Sequence, residues 1–157
     1  MGKSIENLLL LSCRSPYLDN DKVYPPLGNL YLHSMIKRDR PNVNVQIRDD
    51  YDLTDEKASW INGFDSVGIS IMTPQRAEAK RVLDYIKLNR PDVKVLAGGP
   101  HAKYYFQDMK DEPWDIICTH EAERQISRII DGDCPRVISD NISVQDFPKV
   151  AVKPARL

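Results

Sequence analysis

The chain has 157 residues, the length of one domain whose core needs no disulfide or metal staple. Its 22 Lys+Arg nearly cancel its 23 Asp+Glu, which excludes the broad basic field that nucleic acid or an anionic membrane would call for. Cys13, Cys118 and Cys134 lack paired spacing, so neither a secreted disulfide framework nor a zinc ribbon or iron–sulfur motif is present.

The first apolar run, Asn7 to Cys13 (NLLLLSC), predicts a strand covered on both faces. It is too short for a signal-peptide core or a membrane span, and a cytoplasmic protein is expected. A polar loop leads into PPLGNLYLHSMIKR, a predicted helix with Leu27, Leu30, Tyr31 and Met35 along one face. Val43 to Asp50 alternates like a second strand, and Asp55 to Asn62 suggests a short helix.

SVGISIM, Ser66 to Met72, is the third predicted strand. Thr73 then Pro74 open the following helix as N-cap and first-turn proline, and Ala79, Val82, Leu83 and Ile86 form its apolar stripe. The fourth strand runs through RPDVKVLAGG, and the fifth is WDIICT, Trp114 to Thr119. A last helix carries Ala122, Ile126, Ile129 and Ile130 and stops at Gly132.

This βα alternation predicts a flavodoxin-like, doubly wound, five-stranded parallel sheet in the order 2-1-3-4-5, a Rossmann-like three-layer sandwich. The domain is read as residues 1–135. Residues 136–157 hold one short strand candidate, RVIS, and otherwise read as a linker or docking tail.

In open α/β sheets ligands sit beyond the carboxyl ends of the strands. There Val95 to His101 (VLAGGPH) runs a buried strand into two glycines. Either a tight turn or a bulky ligand against the backbone explains the pair. GxGxxG after the first strand and GxxxxGK[ST] are both absent, which disfavours a dinucleotide site or a P-loop. His101, His120, Cys13 and Cys118 gather near this rim but lack metal-ligand spacing, so no protein-ligated metal is expected. Glu121 and Glu123 read as carboxylates favouring a helix N-terminus, and no hydrolytic triad or carboxylate pair stands out.

Three stretches carry a resemblance: YPPLGNLYLHSMIK, DSVGISIMTPQRAEAKRVLDYIKLNRPDVKVLAGGPHA and WDIICTHEAE. Together they resemble the cobalamin-binding domain that precedes the catalytic barrel of B12-dependent radical SAM enzymes, from Leu8 to Ile130. Ser70-Ile71-Met72 ahead of Gly98-Gly99 is similar to the Ser-x-Leu and Gly-Gly pair of cobalamin domains, with Met in place of Leu.

The resemblance implies that Ser70 and Thr73 lie beside the cofactor's nucleotide tail and that Gly98 and Gly99 leave room for it. Pro100 and His101 would open a helix facing an anion, and Gly28 would let the first helix approach closely. Met72, Thr119 and Glu121 complete the implied cofactor-binding set. Cobalt in the corrinoid is then the metal of the domain. The Asp-x-His-x-x-Gly element supplying a lower axial histidine is absent from CRSPYLDNDKVYPPLG, so such a ligand is not expected. The family's Gly-Glu-Gly-Glu after strand five is THEAE here, with His120 and Ala122 in the glycine places.

SVQDFPKV resembles the linker to the family's barrel, and these residues hold no iron–sulfur motif and no catalytic set. The implied function is a cobalamin-binding module, stand-alone or excised, partnered by a corrinoid and by a radical SAM catalytic domain or subunit, with no nucleic acid and no membrane. A cofactor-free, flavodoxin-like protein-interaction domain is the alternative, and a flavin or nucleotide binder the third reading.

Overall fold

A computed structural model describes residues 2–17 and 26–138. Six strands form one parallel sheet: β1 (Asn7–Ser12), β2 (Asn44–Arg48), β3 (Ser66–Ser70), β4 (Lys94–Gly98), β5 (Ile116–Cys118) and β6 (Val137–Ile138), ordered β2-β1-β3-β4-β5-β6. The expected 2-1-3-4-5 core is present, and the RVIS candidate adds a sixth strand beside β5. The rest of the tail, residues 139–157, lies outside the described residues, as do residues 18–25 of the loop after β1.

Helices α1 (Leu27–Asp39) and α4 (Ile126–Asp131) cover one face, and α2 (Arg76–Asn89) and α3 (Pro100–Met109) the other. The α1/α4 face buries Leu8, Leu10, Leu96 and Ile116 against Met35, Ile36, Ile126 and Ile129. The opposite face buries Leu9, Val67 and Val95 against the Ala79, Val82, Leu83 and Ile86 stripe. Strand residues alternate between the two clusters because successive side chains point to opposite sides of a sheet. Since both faces are covered, β1 reads as an unbroken apolar run.

Three local expectations are corrected. Leu27 is 54% exposed, and the buried residues of α1 are Asn29, Leu30, Met35 and Ile36. The first turn of α1 lies at the rim, where the sheet offers no apolar face. Thr73 is not an N-cap: it opens a 3-10 turn (Thr73–Gln75) ahead of α2, with no side-chain cap. Gln75 does the tying instead, accepting from the Met72 N–H at 2.9 Å and donating to the Cys13 carbonyl at 2.8 Å. The 55–62 stretch holds only a 3-10 turn, Ser59–Ile61. Gly132 ends α4 in the left-handed region, at φ 76, its N–H bonded back to the last turn.

Among the described residues, no helix is long and apolar enough to cross a membrane.

Candidate functional site

On the α1/α4 face the strand register lays out two rows. Leu10, Gly68, Leu96 and Ile116 are successive neighbours across β1, β3, β4 and β5. One step toward the carboxyl ends, Ser12, Ser70 and Gly98 are neighbours in turn. Both rows thus lose side-chain bulk near the middle of the sheet, at Gly68 and Gly98. A cleft of ≈ 360 Å³ opens above them, walled by α1, the start of α3 and the 3-10 turn Ala122–Arg124 that precedes α4. Pockets for small molecules span about 300–1,000 Å³.

The two tandem glycines differ. A Cβ on Gly98 would meet the Cys118 Cβ at 3.8 Å, an ordinary contact, so the position tolerates a side chain and leaves space by lacking one. Gly99 has φ 88 and ψ −178, a conformation nearly confined to glycine. A Cβ there would lie 2.7 Å from the Ile71 nitrogen and 2.9 Å from its oxygen. The Ile71 N–H donates to the Gly98 carbonyl at 2.8 Å, and the His101 N–H donates to the Ile71 carbonyl at 2.9 Å. This lacing pulls the β4–α3 turn onto the end of β3, and backbone fills the space that a Gly99 side chain would take.

Six of the ten residues in the implied set line the cleft: Gly28, Ser70, Gly98, Gly99, Pro100 and Glu121. Gly28 does not serve close helix packing, since a Cβ there would meet nothing within 4 Å. Pro100 starts α3 as expected. Glu121 Oε1 stands 4.0 Å from Lys103 Nζ, and both residues line the cleft.

The other four lie beside it. Met72 is exposed at the end of β3. The Thr73 hydroxyl is 3.4 Å from His101 Nδ1. The buried His101 ring stacks on Tyr105 at 5.1 Å, and burial followed by the nearby Arg76 charge holds its pKa below the ordinary value. Thr119 is buried and donates its hydroxyl proton to the Ile138 carbonyl at 2.9 Å, tying β5 to β6. With that proton spent, the Thr119 oxygen accepts from His120 Nδ1–H at 2.9 Å. His120 itself lines the cleft.

Sequence reasoning missed Gly68, Asn29 and Glu123. A glycine inside a strand marks close approach of something else, so Gly68 was readable in principle. Asn29 is buried on α1, and its Nδ2 donates to Ser12 Oγ at 3.3 Å. Glu123 lines the cleft from the 3-10 turn; its Oε2 is buried and, among the described residues, has no hydrogen-bond partner. Burial, then the neighbouring Glu121 charge, raises its pKa.

The rim beside the cleft is held by a second network. Arg14 donates its N–H to the Tyr51 hydroxyl at 3.0 Å and its guanidinium to the Tyr51 carbonyl at 2.6 Å. The Tyr51 hydroxyl donates to Glu78 at 2.6 Å. These bonds fasten the start of the loop after β1 to the segment after β2 and to α2.

The four residues read as gathering at one rim do not share a site. Cys13 belongs to the core under α2 and α3 and Cys118 to the core under α1 and α4. Among the described residues no three His, Cys, Asp or Glu side chains are grouped to hold a metal ion. The cleft, by contrast, has a bare floor, apolar walls and few polar groups.

A family model of the B12 binding domain matches residues 21–130. A search of curated proteins finds no match to the chain.

Proposed function

The chain belongs to the B12-binding domain family, and from that premise we propose that it is a corrinoid-binding module whose cleft takes the nucleotide tail of cobalamin. The observation that carries this reading is the bare floor at Gly68 and Gly98, facing apolar walls on the α1/α4 side. The residues present fit such a guest: Gly98 could bear a side chain without clash yet has none, and a buried carboxyl oxygen of Glu123 lacks a partner among the described residues. A volume of ≈ 360 Å³ suits a tail rather than a whole corrinoid. The macrocycle would then rest outside, on a rim where Leu27 and Tyr104 remain 54% and 71% exposed.

In this reading Ser70, Gly98, Gly99, Pro100, Gly28 and Glu121 surround the tail. Met72, Thr73, His101 and Thr119 shape the rim from the neighbouring turns. Pro100 has no N–H and the His101 N–H is already donated to the Ile71 carbonyl, so neither residue gives a backbone donor to the tail's phosphate. No histidine occurs from Cys13 to Gly28, so that stretch would supply no imidazole to a bound corrinoid. Bound corrinoid supplies a cobalt centre able to carry an alkyl group; the chain's own residues bind, orient and shield it.

The likeness of SVQDFPKV to the linker of B12-dependent radical SAM enzymes supports a catalytic radical SAM domain or subunit as partner, with residues 1–135 and the added strand β6 as the binding domain and the rest of the 136–157 segment as linker or docking tail. The cysteine usage supports a cytoplasmic setting.

Titration of the purified protein with hydroxocobalamin, followed by desalting, tests the reading. A corrinoid spectrum retained at one equivalent is expected. A colourless protein after desalting would replace it with the cofactor-free interaction domain.

A further inference from the structure

We propose that Glu123 recognises the lower base of the bound corrinoid and selects cobamides whose base carries a free ring nitrogen, such as a benzimidazole or purine. The proposal rests on the tail entering the cleft. The walls there are largely Leu8, Leu96, Ile116, Ile126 and Ile129. Of the two acids lining the cleft between Thr119 and Arg124, Glu121 faces Lys103 at 4.0 Å. Among the described residues Glu123 has no such cation, and its Oε2 is shut from solvent without a hydrogen-bond partner.

A buried polar oxygen left unpaired is costly, and native structures hold few of them. The terminal torsion of a glutamate is broad, so either oxygen can turn to the cleft at little cost. A lower base held beside Glu123 would present a ring nitrogen whose lone pair lies in apolar surroundings. That lone pair needs a donor as much as the carboxyl needs a partner. One shared proton satisfies both: the carboxylic acid donates to the nitrogen, or the carboxylate accepts from the protonated ring. Burial, which holds Glu123 toward its neutral form, favours the first arrangement. A phenolic base offers no ring nitrogen, and cobinamide has no base.

The test compares the affinities of cobalamin, p-cresolyl cobamide and cobinamide for the 157-residue chain and its Glu123→Leu variant. The unsubstituted protein should bind cobalamin about tenfold or more tightly than the cresolyl form, the worth of one well-made hydrogen bond. Glu123→Leu should erase that gap by weakening cobalamin alone, with cobinamide unchanged within about twofold. Equal affinity for cobalamin and the cresolyl cobamide in the unsubstituted protein overturns the proposal with no variant needed. So does a Glu123→Leu variant that weakens all three ligands alike, or none. Binding of all three with no preference leaves the tail-cleft reading standing; binding of none overturns both.

Discussion

A Cβ placed on Gly99 would lie 2.7 Å from the backbone nitrogen of Ile71. The end of β3 and the turn after β4 therefore touch as bare backbone, at φ 88, in a conformation that costs other residues on the order of 1–3 kcal/mol before any clash. Gly99→Ala should destabilise the fold by about 3 kcal/mol or more, since the Ile71 nitrogen and oxygen it would meet are backbone and cannot swing aside. Urea unfolding of the two proteins measures this directly.

Gly98 should behave oppositely. Its Cβ direction meets only Cys118 at 3.8 Å, so Gly98→Ala should change stability by no more than about 1 kcal/mol. Gly98→Leu, which projects into the cleft, should leave the protein folded while lowering hydroxocobalamin affinity by at least about tenfold. Spectral titration beside a thermal melt separates the two effects.

Tyr51 accepts from the Arg14 N–H and donates to Glu78. Tyr51→Phe removes both bonds while keeping the ring, leaving a part-buried donor and a carboxylate short of partners. A loss of about 1–3 kcal/mol is expected, read as a lower denaturation midpoint.

The thiols should divide by burial. Cys13 and Cys118 are buried, and desolvation pushes each pKa up to about 12, with the Glu78 charge adding to the rise at Cys13. Thiolate is the reactive form. At neutral pH a disulfide reagent should therefore label the partly exposed Cys134 in the native protein, and all three cysteines after denaturation. Rapid native labelling of Cys118 would contradict the packing of the cleft floor.

Glu123 carries a pH signature. Its pKa in the folded chain is raised above the ordinary 4.5, by burial first and then by the Glu121 charge. The folded state thus holds this proton more tightly than the unfolded one. That contribution is fully present below 4.5 and is lost as pH rises through the folded value. Glu121, Lys103 and His120 also line the cleft, and they are common to both proteins when Glu123→Gln is compared with the unsubstituted chain. The stability of the unsubstituted protein relative to Glu123→Gln should fall as pH climbs from 4.5 toward neutrality.

Much of this fold was legible in the residues because both faces of the sheet are covered. That makes β1 a solid apolar run and gives α2 a clean stripe at Ala79, Val82, Leu83 and Ile86. The sixth strand was harder to see: Val137–Ile138 is two residues long and is held by Thr119 and Ile117 bonding across from β5, a tertiary fact. The GGP turn lies on the cleft, yet its two glycines answer to different causes, and only the folded geometry separates Gly98 from Gly99. Glu123 looked like a helix-end carboxylate; the fold buries it beside a cleft that no local pattern announces. Thr73 has the sequence of an N-cap, but the link from Gln75 to Cys13 decides that turn.

The most direct measurement is a crystal structure of the chain with cobalamin bound. The account predicts the nucleotide tail lying over Gly68 and Gly98, between α1 and the turn that carries Glu123. Density for the tail elsewhere, or a cleft closed by His120 with the corrinoid held only at the surface, would contradict it.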